Sequence, residues 1–197
     1  MTKARTLADF NTTSIPASVI TGLPAGAMTL VSSGNVTAGD ASKTLTGIFT
    51  NTYSIYKIFL YDWNGSVGNA PYLRWLTGTN TEQSGSGDYA YAGVGFDSNG
   101  GASNWSGSDT QLQIASESLR PDGGDCFAWE GTLYNPSNST LKKRLVFSCS
   151  GRDTNNYSFN SHGTGEWAGT SPLTGLKVFP SGGTFDSLSW RIYGIEG

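Results

Sequence analysis

From Met28 onward, apolar residues recur at alternate positions in short runs separated by turn residues. A period of two is the repeat of a β-strand, whose side chains point alternately to opposite faces. Near the end of the chain, Leu188, Trp190 and Ile192 fall on one face of such a run, and Ser189 and Arg191 on the other. The same pattern predicts strands over 28–33, 42–50, 53–61, 72–76, 88–96, 110–116, 126–134, 143–150, 173–179 and 188–195. The run Tyr53–Tyr61 is the strongest. It is rich in β-branched and aromatic residues and apolar at both parities. Apolar residues on both faces imply burial on both, one against the domain core and one against a second subunit.

Turn signals complete the pattern. Asp62-Trp63-Asn64-Gly65 contains Asn-Gly, whose residues both tolerate positive φ, and it reads as a turn. Two stretches rich in Gly, Ser and Asn read as long surface loops: 97–108 around Trp105, and 151–170, carrying Tyr157, Phe159, His162 and Trp167. Strands spaced about 10–15 residues apart with turns between them predict an all-β fold, an antiparallel β-sandwich or jelly-roll-like domain. No internal repeat points to a solenoid or propeller.

Residues 1–27 differ from the rest. Thr2–Phe10 is amphipathic but too short to be stable as an isolated helix, and Pro16, Gly22, Pro24 and Gly26 interrupt the residues beyond it. The segment reads as an arm that folds only against another surface, with a disordered terminus as the alternative. The expected division is an arm over 1–27 and a sandwich over 28–197.

Composition narrows the function classes. Charged residues make up 14% of the 197, with a net charge of −3, while six Trp, nine Tyr and nine Phe supply core material. A nucleic-acid binder normally carries a basic face. Here the basic run is Lys142-Lys143-Arg144, which reads as the solvated end of a hairpin. Neither an apolar run of ~18 residues nor a secretory leader is evident, so synthesis and assembly in a cytosol are expected. A hairpin centred between Ser137 and Asn138 would set Cys126 opposite Cys149. A disulfide is then conceivable, though a cytosolic origin favours two reduced thiols.

Chemistry is sparse. His162 is the one histidine, and no Gly-x-Ser-x-Gly elbow accompanies it. One His and two Cys give no metal-ligand cluster, and no phosphate-cradling motif occurs. The carboxylates open to a glycosidase reading are Asp88, Asp97, Asp109, Glu117, Asp122, Asp125, Glu130 and Glu166. Most sit in turns, where Asp caps its own backbone, and calcium at Asp122–Asp125 is only weakly supported. No catalytic, cofactor or metal residue is therefore expected. Recognition remains: Trp105, Tyr157 and Trp167 in polar loops suit stacking on sugars, unless each tucks back over the sandwich edge.

The run Leu173–Phe179, then Gly182-Gly183-Thr184-Phe185, then Trp190–Ile195, resembles the two-strand ending of small β-sandwich domains in tail fibres, appendages and head decorations of tailed bacteriophages. Residues 1–10 resemble the opening segment of virion proteins from phages of marine cyanobacteria. The resemblance implies a non-enzymatic virion protein, most simply a short tail fibre or tail appendage that contacts the host surface. A capsid decoration or head fibre, and a carbohydrate-binding module, are the alternatives. It further implies symmetric association, a trimer being favoured. Attachment to other virion proteins would run through the arm, with Lys3, Arg5, Leu7, Phe10 and Ile15 as its anchoring residues.

Overall fold

The computed structural model describes residues 28–121 and 127–195. The expected arm over 1–27, together with Asp122, Asp125 and Cys126, lies outside the described residues. Thirteen strands form among the described residues, all in antiparallel pairs, β1 to β13 in chain order. The larger sheet has eight strands in the order β1 (Met28–Asn35), β13 (Phe185–Ile195), β3 (Ile55–Gly65), β9 (Phe127–Tyr134), β10 (Lys143–Arg152), β11 (Ser158–Trp167), β6 (Tyr89–Asp97) and β7 (Ala102–Asp109). The smaller sheet runs β2 (Lys43–Leu45), β12 (Leu173–Pro180), β4 (Pro71–Thr77) and β5 (Thr81–Glu82), with β8 (Leu112–Gln113) also paired to β4. Consecutive strands pass together from one sheet to the other: β3 lies on β13 while β4 lies on β12, and β1 and β2 repeat this outside them. The expected β-sandwich is the observed architecture, with jelly-roll-like wrapping.

The core follows from alternation. Tyr56, Ile58 and Leu60 of β3, Trp129 and Leu133 of β9, and Leu188, Trp190 and Ile192 of β13 all turn inward and are buried. Trp63 meets Phe127 and Phe185 edge-on, with ring centroids 6.0 and 5.0 Å away. Such pairs add about 0.5–1.5 kcal/mol each beyond the area they bury. Tyr89 ties the sheets together. Its hydroxyl accepts the Trp75 backbone N–H at 2.8 Å and donates to the Gln83 carbonyl at 2.9 Å, and burial pushes its pKa well above the ordinary tyrosine value.

Several expectations are corrected. The stretches 97–108 and 151–170 are not loops throughout, since they contain β7 and β11. Glycines in both stand where a neighbouring ring lies across the strand: a Cβ at Gly107 would strike the Tyr91 ring, and one at Gly163 would meet Phe147 at 2.6 Å; Gly93 on the neighbouring strand β6 likewise leaves room for Trp105. Asn64-Gly65 is not a turn either. The strand β3 continues through it, with a bulge at Asp62, whose φ is +53° and where pairing with β9 skips from Leu60 to Trp63. The hairpin of β9 and β10 sets Cys149 opposite Trp129, so its register is not the one that would oppose Cys126. Only two residues of the expected strand over 110–116 remain, as β8.

The basic run is also corrected. Lys142 and Arg144 are exposed and both reach Glu166, at 2.7 and 3.1 Å, but Lys143 is 1% exposed. Its ammonium donates to three backbone carbonyls: Leu141 at 2.7 Å, Thr170 at 2.9 Å, and Asn138. Burial pushes its pKa below the ordinary lysine value. The three carbonyls offset that cost by holding the charged form, and they tie the 135–142 loop to the segment that enters β12. Replacing Lys143 by Met keeps the apolar stem and leaves the carbonyls without a donor. Urea unfolding of Lys143→Met should show a loss of about 2–4 kcal/mol, and a loss under 0.5 kcal/mol would contradict this role.

Candidate functional site

The outer face of the eight-stranded sheet carries an unusual row. Strand register aligns Ser33, Arg191, Phe59, Glu130, Ser148, His162, Val94 and Asn104 across all eight strands. Two depressions lie along it. The first, about 770 Å³, spreads over Phe59, Tyr61, Arg191 and Tyr193 toward Asn160. The second, about 640 Å³, spreads over Lys57, Thr132, Val146 and Thr164. Glu130, Ser148 and His162 line both, so the depressions meet there. The relief has a simple cause. Ala128, Ser148 and Ser150 are small, while Met28, Phe59, Tyr61 and Tyr193 beside them are tall.

Aromatic rings wall the first depression. Phe59 and Tyr193 meet edge-to-face at 5.9 Å. The Arg191 side chain is exposed, and the Tyr193 and Tyr61 oxygens beside it favour its charged form, raising its pKa above the ordinary arginine value. In the centre the Ser148 hydroxyl donates to Glu130 at 3.3 Å. Beneath the floor, Cys149 points inward, and burial pushes its thiol up to about 12.

This row holds Ser, His and Glu without forming a hydrolytic triad. A triad places histidine between serine and acid, so that the imidazole takes the serine proton while the acid orients it. Here Ser148 stands between Glu130 and His162 and donates to the acid. The next residue across from His162 is Val94. Nor does the groove offer paired carboxylates, because Glu130 is the one carboxylate among the described residues that line it. The other described candidates serve the fold. Asp88 accepts the Gly85 N–H, and Asp97 those of Asn99 and Gly101. Asp109 accepts that of Thr110, Glu117 accepts the Ser103 hydroxyl, and Glu166 is paired with Lys142 and Arg144. Among the described residues no group of three or more His, Cys, Asp or Glu could hold a metal.

None of the three aromatic residues expected to contact a glycan lies in the groove. Trp167 is 4% exposed and belongs to the core. Trp105 points inward, half-buried, its ring 6.3 Å from that of Phe147. Tyr157 closes a turn, its N–H donating to Asp153 at 2.8 Å. Sequence reasoning missed Phe59, Tyr61, Ser148, Arg191 and Tyr193, weighed Glu130 only as a glycosidase carboxylate, and placed His162 in a loop. One signal did point here: the two-sided apolar character of Tyr53–Tyr61, whose outer residues Phe59 and Tyr61 wall the groove. The fold and this face define an antiparallel β-sandwich with an open groove on one sheet. No family model matches the chain, and no curated protein matches it.

The buried thiol gives a direct test of the floor. With Cys126 replaced by Ser, Cys149 should resist a disulfide-exchange reagent at pH 8, because a pKa of about 12 leaves almost no thiolate and burial blocks access. Labelling should follow unfolding, and prompt labelling of the native protein would show the floor to be open.

Proposed function

We propose that this protein is a non-enzymatic virion component, a short tail fibre or tail appendage, that binds host surface glycan on the outer face of its eight-stranded sheet. The groove carries this reading. Phe59 and Tyr193 offer apolar ring faces, and Glu130, Ser148, Asn160 and His162 offer hydroxyl-binding groups beside them. Sugars need both, because their C–H faces stack while their hydroxyls demand hydrogen bonds. Placement on a virion rests on the resemblance of 173–195 and 1–10 to phage virion proteins. The absence of a second carboxylate from the groove's described lining, and the order Glu130-Ser148-His162, support binding without turnover.

The homo-oligomer expected from Tyr53–Tyr61 is better sought at the far edge of the second depression, away from the aromatic-walled one. A polar centre suits a wet ligand, whereas the core of a subunit contact is depleted of charge. Val94 and Phe96, side by side on β6, are 37% and 56% exposed, and Val146 is 50% exposed. These side chains support a contact between copies, with the trimer that the resemblance implies.

The groove and the subunit contact are open to separate tests. On a glycan array, the protein should bind a host-envelope saccharide. Phe59→Ala or Glu130→Gln should weaken that binding by about 1 kcal/mol or more without loss of folding, and no reducing sugar should appear. Failure to bind any such glycan would overturn the groove reading. In light scattering, the protein should run as a trimer that Phe96→Asp dissociates, while a dilution-resistant monomer would remove the subunit contact.

A further inference from the structure

Resting on the groove as a saccharide site, we infer that its ligand is an acidic saccharide of the uronate class, its carboxylate bound by Arg191 and its ring seated on Phe59. Arg191 and Phe59 are direct cross-strand neighbours, and both line the larger depression. The neighbours of the Arg191 guanidinium are the Tyr193 and Tyr61 hydroxyls, and no carboxylate among the described residues pairs with it. Guanidinium carries five donors in a planar fork. With only tyrosine oxygens beside it, its donors stay open to a planar anion, which a carboxylate fits in bidentate fashion.

The opposing charge is placed so as not to interfere. Glu130 comes after Phe59 in the row, so two strand spacings, about 10 Å, separate it from Arg191. No ion pair joins these two side chains, and the span matches the breadth of a sugar ring with its substituents. A pyranose over Phe59 would present its acid toward β13 and its hydroxyls toward Glu130, Ser148 and His162. Glu130 accepts from hydroxyls, and it repels a ligand that enters with its acid reversed. The cations on the other sheet differ: Arg74 and Lys177 are both paired with Glu82, at 2.6 and 2.8 Å.

Calorimetric titration of the full chain tests this. The probes are galacturonate, glucuronate and mannuronate oligosaccharides, each alongside its methyl ester, which keeps the ring and removes the charge. The acids should bind about tenfold or more tighter than their esters, and added salt should weaken the acids alone. Arg191→Gln should abolish the preference by weakening the acids far more than the esters, with the circular dichroism of the folded protein retained. Equal binding of acids and esters, or a preference that survives Arg191→Gln, overturns the acidic assignment and leaves the groove standing. Binding of neither class overturns the saccharide site itself.

Discussion

Two aromatic rings that meet across glycine hold the larger sheet in shape. Phe147 on β10 and Trp105 on β7 are separated by two strands, yet their ring centroids lie 6.3 Å apart. They reach each other because Gly163 on β11 and Gly93 on β6 stand between them in one register row. On the other side of Phe147 the row continues with Gly131, then Ile58 and Ile192. Any side chain at Gly163 or Gly93 would occupy the space the rings use. Close-packed interiors leave no slack for that. The outer row is offset from this inner one by a single residue on each strand: Glu130 beside Gly131, Ser148 beside Phe147, His162 beside Gly163, and Val94 beside Gly93. The groove is therefore positioned by the packing on the reverse of the same strands.

The same constraint explains what sequence reading could and could not reach. Alternation in β13, β9 and β10 is strong because their inward residues are large, and the sandwich was legible from them. β11 alternates just as strictly, with Phe159, Ser161, Gly163, Gly165 and Trp167 inward and buried. Three of those five are Ser or Gly, so the strand reads as loop. β7 has one large inward residue, Trp105, and looks the same. The core there is supplied by side chains from neighbouring strands, and a pattern read along one strand cannot register them. Misplacing His162 followed directly, since a histidine assigned to a loop has no cross-strand neighbours to give it meaning.

Register was the second loss. A hairpin centre chosen from loop composition set Cys126 opposite Cys149, whereas Trp129 holds that place. The loop 135–142 has the bounds the pattern predicts, but its pairing centres beyond Asn138, and buried Lys143 holds it in place. A charge run normally signals a solvated face. Here the middle charge satisfies backbone carbonyls of Asn138, Leu141 and Thr170, a role set by the path of two loops. Lys142 and Arg144 on either side obey the simple rule.

The two outer faces of the sandwich differ in a way that bears on function. On the smaller sheet, Arg74 and Lys177 share Glu82 and both stack on Phe179, with their charged groups 4.9 and 5.5 Å from the ring centroid. Arg74 also donates to the Thr110 carbonyl and to Gln111. Burial works to raise the Glu82 pKa, but hydrogen bonds from Lys177 and Arg74 outweigh it and hold the carboxyl below its usual range. That face satisfies its own polar groups and keeps its aromatic ring covered by cations. The larger sheet does the reverse. Along its groove, Phe59 and Tyr193 stand uncovered by any cation pair, Arg191 has only tyrosine oxygens beside it, and Glu130 meets one weakly placed serine. Surface groups that satisfy one another stabilise a fold, and groups left with spare hydrogen-bonding capacity around a depression are the ones available to a ligand.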